Sequence, residues 1–331
     1  MQALYIVIPV VGIFMIAYRY YSAFIAAKVM ALDDARVTPA HSKYDGSNFH
    51  PMGRWVLFGH HFAAIAGAGP LVGPVLAAQF GFAPGLLWLV AGCTLCGAVH
   101  DSMCLWASTR RGGKSLANIA RAEIGPLAGT VGALAILFIL IVALAGLGIA
   151  VVNALAESAW STFTIGVTIP IGMLMGFHMF VFRKGHIREA TIIGVVLLLG
   201  AVIFGRTFAE SSYGHYLVLT RHQVTAAMAI YALAASILPM WMLLTPRGYL
   251  STFMKIGTIA FLALGVIIVN PTLHAPAFSQ FIHGGGPVIP GPLYPFVFIT
   301  IACGAVSGFH SRNRASSFSA KASTMLSCPR F

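Results

Sequence analysis

His60-His61 and His100-Asp101 are pairs of titratable side chains set in long apolar stretches, and Lys255 and His310 lie in similar surroundings. Histidine, with an ordinary pKa near 6.5, is suited to taking up and releasing protons. Charge held away from water is costly, so where it persists it usually serves a function. Neighbours on a helix project about 100° apart, so at most one member of each pair can face a common centre. The plainer alternative is that these groups snorkel toward water or pair to hold helices together. No metal is expected. Adjacent histidines cannot chelate one ion from a regular helix, there is no His-Glu-x-x-His, and Cys93-Thr-Leu-Cys96 stands alone in an apolar run. Gly284-Gly-Gly286-Pro287 lies in an uncharged stretch unsuited to phosphate, and no cofactor is expected. The five cysteines are an odd count without framework spacing, which reads as a reduced protein.

The elements that must position these groups follow from composition. Of 331 residues, 58% are apolar and 8% charged, against about 25% charged in a soluble protein. So few charges cannot cover a water-facing surface. Apolar runs of bilayer length recur at about 3–27, 55–80, 86–108, 126–152, 164–182, 190–208, 224–244, 253–270 and 292–311. The first lacks a basic start and a cleavage site, so it reads as a retained span. Open strands would leave backbone groups unbonded in lipid. The predicted fold class is therefore all-α, a polytopic membrane protein with about nine transmembrane helices.

The net charge of +12 would suit nucleic acid if it formed a patch, but it is distributed by loop. Lys28, Arg36, Lys43 and Arg54 fall in the first loop, Arg110, Arg111, Lys114 and Arg121 in the third, and Arg183, Lys184 and Arg188 in the fifth. Arg247 falls in the seventh, and Arg312, Arg314, Lys321 and Arg330 in the tail; of the even loops only the sixth has a basic residue, Arg221. The positive-inside rule then predicts a periplasmic N-terminus and a cytoplasmic C-terminus. The partner of the charge is the lipid bilayer, and no nucleic acid is expected. On this topology His60, His61, His100 and Asp101 lie roughly 8 to 12 Å below the inner surface. Lys255 and His310 fall near cytoplasmic ends, so one polar cluster at one depth is geometrically possible.

Two helices should be interrupted. Gly67, Gly69, Pro70, Gly73 and Pro74 crowd the middle of the second. Proline removes a backbone donor and glycine costs about 1 kcal/mol in a helix interior. Unwound backbone at membrane depth is tolerated where it lines a cavity, as at transporter substrate sites. The alternative is close packing of small residues against a neighbour. Pro239 interrupts the seventh helix in the same way, more weakly.

These stretches also carry a resemblance. Trp55-Val-Leu-Phe-Gly-His-His-Phe-Ala-Ala-Ile-Ala-Gly-Ala-Gly-Pro-Leu-Val-Gly-Pro-Val-Leu-Ala-Ala-Gln79 is similar to the signature of the carbon starvation protein A family. So are Arg110-Arg-Gly-Gly-Lys-Ser-Leu116, Leu244-Thr-Pro-Arg-Gly-Tyr-Leu-Ser-Thr-Phe-Met-Lys-Ile-Gly257 and Phe298-Ile-Thr-Ile-Ala-Cys-Gly-Ala-Val-Ser-Gly-Phe-His-Ser311. The resemblance implies an inner-membrane secondary transporter induced by nutrient limitation, importing peptides and, in some members, pyruvate with a proton. It also implies kinship with amino acid–polyamine–organocation transporters, built from two inverted five-helix repeats. The second and seventh helices would open those repeats.

The expected organisation is a leading helix (1–27), a cytoplasmic loop (28–54), a first repeat (55–208), the start of a second (224–311, three helices, incomplete) and an aberrant polar tail (312–331). The family pattern carries Gln where this chain has His100, and it stops after Ser311, as in a frameshift or truncation. The expected function is import of a small peptide or carboxylate with a coupling proton. The runners-up are an inert fragment and an intramembrane enzyme, the latter opposed by the absence of a nucleophile–base pair in the spans.

Overall fold

Backbone groups without water must bond one another, and in a chain this apolar the helix satisfies them within each segment. The computed structural model describes residues 1–307 except 34, 46–48, 50, 52, 53, 184, 185, 240 and 241; at 54–56, 60, 64 and 68 the backbone alone is described. Among these residues there are helices and no strand, only an isolated bridge between Gln2 and Thr272.

We number the helices α1 (Leu4–Val29), α2 (Arg54–Ile65), α3 (Ala68–Ala77), α4 (Phe82–Arg110), α5 (Leu116–Glu123) and α6 (Pro126–Leu155). There follow α7 (Ala159–Phe182), α8 (Ile187–Glu210), α9 (Arg221–Ile237), α10 (Leu244–Val269) and α11 (Leu293–Ala305). Six are long and apolar enough to cross a membrane: α1, α4, α6, α7, α8 and α10. The count of nine full spans is not confirmed among the described residues. The second expected span is split into α2 and α3, the seventh stops at Ile237, and α11 has 13 residues.

The chain forms two compact units. The first takes in Met1–Ile139 and the stretch from Thr258 onward, the second Leu140–Gly257.

In the first unit, α11 lies against α3 and α4. Its Val297, Ile301 and Ala305 join Ala77 and Phe80 in a core whose members are at most 3% exposed. Glycines make the approach possible. A Cβ at Gly92 would stand 2.7 Å from the Ala305 Cβ, and one at Gly97 only 2.2 Å from the Ala305 carbonyl oxygen. Helices come this close in membranes where small residues line the contact. Gly92–Gly97 is a widened π turn within α4, and Cys93 Sγ there donates to the Gly304 carbonyl at 3.4 Å.

One end of this unit is stapled by the 270–292 loop. Gln79 donates Nε2 to the Ile289 carbonyl at 2.8 Å and accepts at Oε1 from the amides of Val288 and Ile289. Gly81, at φ +97°, makes a turn that an L side chain would strain, and it abuts the Ala277 carbonyl. The N-terminus joins the same cap, with Ala3 N–H donating to Pro271 O and Leu273 N–H to Met1 O.

At the other end, Arg110 lies over the Trp106 ring and donates to the carbonyls of Met30 and Ala31. A cation at a helix C-terminus complements its dipole. Gly112 and Gly113, at φ +71° and +77°, turn the chain into α5, so the Arg-Arg-Gly-Gly-Lys run serves as a helix-end turn.

In the second unit α7 and α8 pair through Gly194, whose missing side chain admits Met175 and Leu250. Tyr249 of α10 lies 3.0 Å from the Thr191 hydroxyl of α8.

Candidate functional site

The interruption of the second expected span falls at Ala66–Gly67. The Ala66 amide bonds back to Phe62 O and that of Gly67 to Ile65 O. Gly67 is extended (φ −91°, ψ −174°), and the helix resumes at Ala68. The unwound stretch is shorter than the glycine and proline spacing suggests. Gly69, Pro70, Gly73 and Pro74 all lie inside α3. Pro70 sits in its first turn, where no donor is required.

Two of these glycines meet α11. A Cβ at Gly69 would stand 2.6 Å from Cys303 Sγ, and one at Gly73 only 2.4 Å from the Thr300 carbonyl oxygen. Gly69 and Gly73 thus pack closely against α11. Gly67 differs, with nothing within 4 Å of a Cβ. The N–H groups at the start of α3, which have no partner within the helix, lie next to that open position.

The second interruption follows from proline's effect on the residue before it. α9 ends at Ile237, Leu238 is extended (φ −69°, ψ 146°), and Pro239 lies just past the helix.

Of the six titratable residues singled out above, His100 and Asp101 are neighbours on α4. Asp101 in α4 is buried, 7% exposed, and the His100 ring beside it is 43% exposed. Their Nδ1 and Oδ1 atoms are 3.8 Å apart, an electrostatic neighbourhood longer than a hydrogen bond. The pair diverges as adjacent helix positions must, with the acid inward. His61 in α2 is partly buried in the same unit. Lys255 is partly buried in the other unit. The side chain of His60, and His310 altogether, lie outside the described residues. Among the described residues no group of three or more His, Cys, Asp or Glu side chains is placed to hold a metal.

Two residues escaped the sequence reading. Gln79 ends the second-helix motif and clamps a loop some 210 positions away. Arg247, expected in a cytoplasmic loop, sits in the first turn of α10 and bonds to α7. The available signal was its position inside the apolar Leu244–Val269 run.

Span-length apolar helices, interruptions at Gly67 and Pro239, and an acid buried in a span define a multi-pass α-helical membrane protein. Its lineage is carried by the sequence. The chain belongs to the carbon starvation protein CstA family, whose profile matches residues 2–322, beyond Ser311 where the motifs quoted above stop. It is 52% identical to the pyruvate/proton symporter BtsT of Escherichia coli K12 over 311 residues, covering 94% of this chain and 43% of that protein. It is 49% identical to the peptide transporter CstA of Bacillus subtilis, covering 94% and 52%, and 51% identical to that of Escherichia coli K12, covering 94% and 44%. The chain thus spans about half the length of the curated relatives it matches. No solved structure matches it.

Proposed function

We propose that the protein takes part in proton-coupled import of a small carboxylate, pyruvate or a short peptide, across the bacterial inner membrane under carbon starvation. The observation that carries this reading is Asp101. Among the described residues it is the one acid more than a turn inside a span-length helix, and it is buried in the unit that also holds the Gly67 interruption. An intramembrane acid is the usual carrier of a coupling proton.

In this mechanism the N-terminus of α3 receives the substrate carboxylate through its free N–H groups and positive dipole end. Asp101 takes the proton from one side and releases it on the other, with His60 or His61 as relay. The two interruptions would open inverted repeats, α2–α3 the first and α9–α10 the second, with rocking between repeats giving alternating access. The relatives' names, one a pyruvate/proton symporter and two peptide transporters, support this choice over an intramembrane enzyme.

The test is uptake of labelled pyruvate and of a labelled dipeptide by cells that lack their own carriers and express the protein. Saturable uptake of either, abolished by a protonophore, is expected. Uptake of neither refutes transport, and protonophore-insensitive uptake refutes the coupling.

The basic residues of the first, third and fifth loops support a cytoplasmic location for those loops and a periplasmic N-terminus. Ser47→Cys in the first loop should resist a membrane-impermeant maleimide on intact cells and react once the membrane is opened. Ready labelling from outside would reverse the topology.

A further inference from the structure

Arg247 is a cation at membrane depth with neutral partners. Its Nε donates to the Thr168 hydroxyl at 3.2 Å, and its guanidinium lies 4.7 Å from the centre of the Tyr231 ring. Thr168 is nine residues from the start of α7 and fourteen from its end. Those intervals are about 14 and 21 Å of helix, which puts the hydroxyl well inside a hydrocarbon layer about 30 Å thick. Gly172, one turn along α7, admits the approach, since a Cβ there would stand 3.2 Å from the Cβ of Arg247.

Among the described residues the arrangement is rich in donors and has no anion beside it. Among the described residues no carboxylate pairs with Arg247, while in the same unit Glu189 bonds to Arg183 and Glu210 to Arg206. A guanidinium has five N–H donors and no acceptor, and the Thr168 bond uses one. Thr245, in the same first turn, is 1% exposed, and its hydroxyl meets no partner among the described residues. Positions two apart leave a helix on opposite sides, so Thr245 and Arg247 flank the start of α10. The face of α10 that carries Arg247 is the one turned to Thr168 of α7 and Tyr231 of α9.

We propose that the first turn of α10 is a second carboxylate-binding site, in addition to the one proposed at the start of α3. Arg247 is the anchor, gripping both oxygens through its terminal nitrogens. Thr168 and Tyr231 fix the guanidinium plane. The depth of Thr168 favours a solute carboxylate over a lipid headgroup. The identity of that solute, pyruvate or the C-terminus of a short peptide, rests on the transport reading above; the anion site does not.

The test uses the purified full chain in detergent. Phenylglyoxal modification of Arg247, followed by peptide mass spectrometry, should slow several-fold with pyruvate and remain unchanged with methyl pyruvate, which lacks the charge. Binding of labelled pyruvate should weaken by about 10- to 100-fold in Arg247→Gln. Arg247→Lys, which keeps the charge and loses the fork, should recover part of it. The protection experiment needs no variant, so misfolding of Arg247→Gln would not blunt it. Undiminished pyruvate binding in Arg247→Gln, with Arg247 unprotected in the parent chain, overturns the site and leaves the transport reading standing. Protection by acetate, with none by pyruvate or a dipeptide, keeps the site and overturns the proposed substrates. Protection by no carboxylate overturns the site.

Discussion

Asp101→Asn is expected to reduce proton-driven uptake to background while membrane insertion and folding are retained. Asn preserves the size and shape of Asp, so the packing around a residue only 7% exposed changes little. It cannot exchange a proton at any ordinary pH. Removing a charge from a span also favours insertion, since a charged residue at a helix centre costs about 3 kcal/mol on insertion scales, so loss of protein from the membrane is not the anticipated cause. The distinguishing measurement is exchange of labelled against unlabelled substrate with no pH gradient. A coupling residue can be lost with exchange preserved, whereas a residue that merely holds the fold would take both. Net uptake unchanged from about pH 5 to 8 would remove Asp101 from the mechanism. His100, 43% exposed beside it, is expected to tune the pH dependence when replaced by Gln, with no loss of transport.

Gly97→Leu should produce the largest structural effect. The contact that forbids a side chain there is with the backbone oxygen of Ala305, 2.2 Å from an ideal Cβ, and backbone cannot turn aside. Relief requires α11 to move away from α4, which opens the core of Phe80, Ile301 and Ala305. Overpacking by small increments costs about 1–3 kcal/mol, and a leucine against main chain belongs at or above the top of that range. The readout is thiol reactivity during heating in detergent. Cys93, bonded to the Gly304 carbonyl, and Cys303, packed on Gly69, should react at a markedly lower temperature. Gly132→Leu in α6 is the control, because nothing lies within 4 Å of a Cβ there. Equal melting of the two variants would refute the placement of α11.

Which properties of this protein were legible without coordinates follows from the range over which each is decided. Membrane class and the long helices could be read directly, because a helix bonds its own backbone and its span length is counted along the chain. Both interruptions were legible for the same local reason: glycine and proline act on their own residue and the one before. Their extent was not. Gly69 and Gly73 stay helical because α11, more than 200 residues away, packs onto them, and no local preference encodes that contact. Likewise the sequence marked Asp101, His61 and Lys255 as titratable groups at one depth, but depth says nothing of lateral position. Only the fold assigns Lys255 to a different compact unit from the other two. Arg247 makes the point most sharply. By sequence it is a basic residue between two spans, and the positive-inside rule files it with the loops. Tertiary structure turns it against Thr168, near the middle of α7, because a missing side chain at Gly172 lets two helices approach. Hydrophobic length and backbone chemistry are properties of a segment, whereas which polar groups meet inside the membrane depends on close packing between segments far apart in the chain.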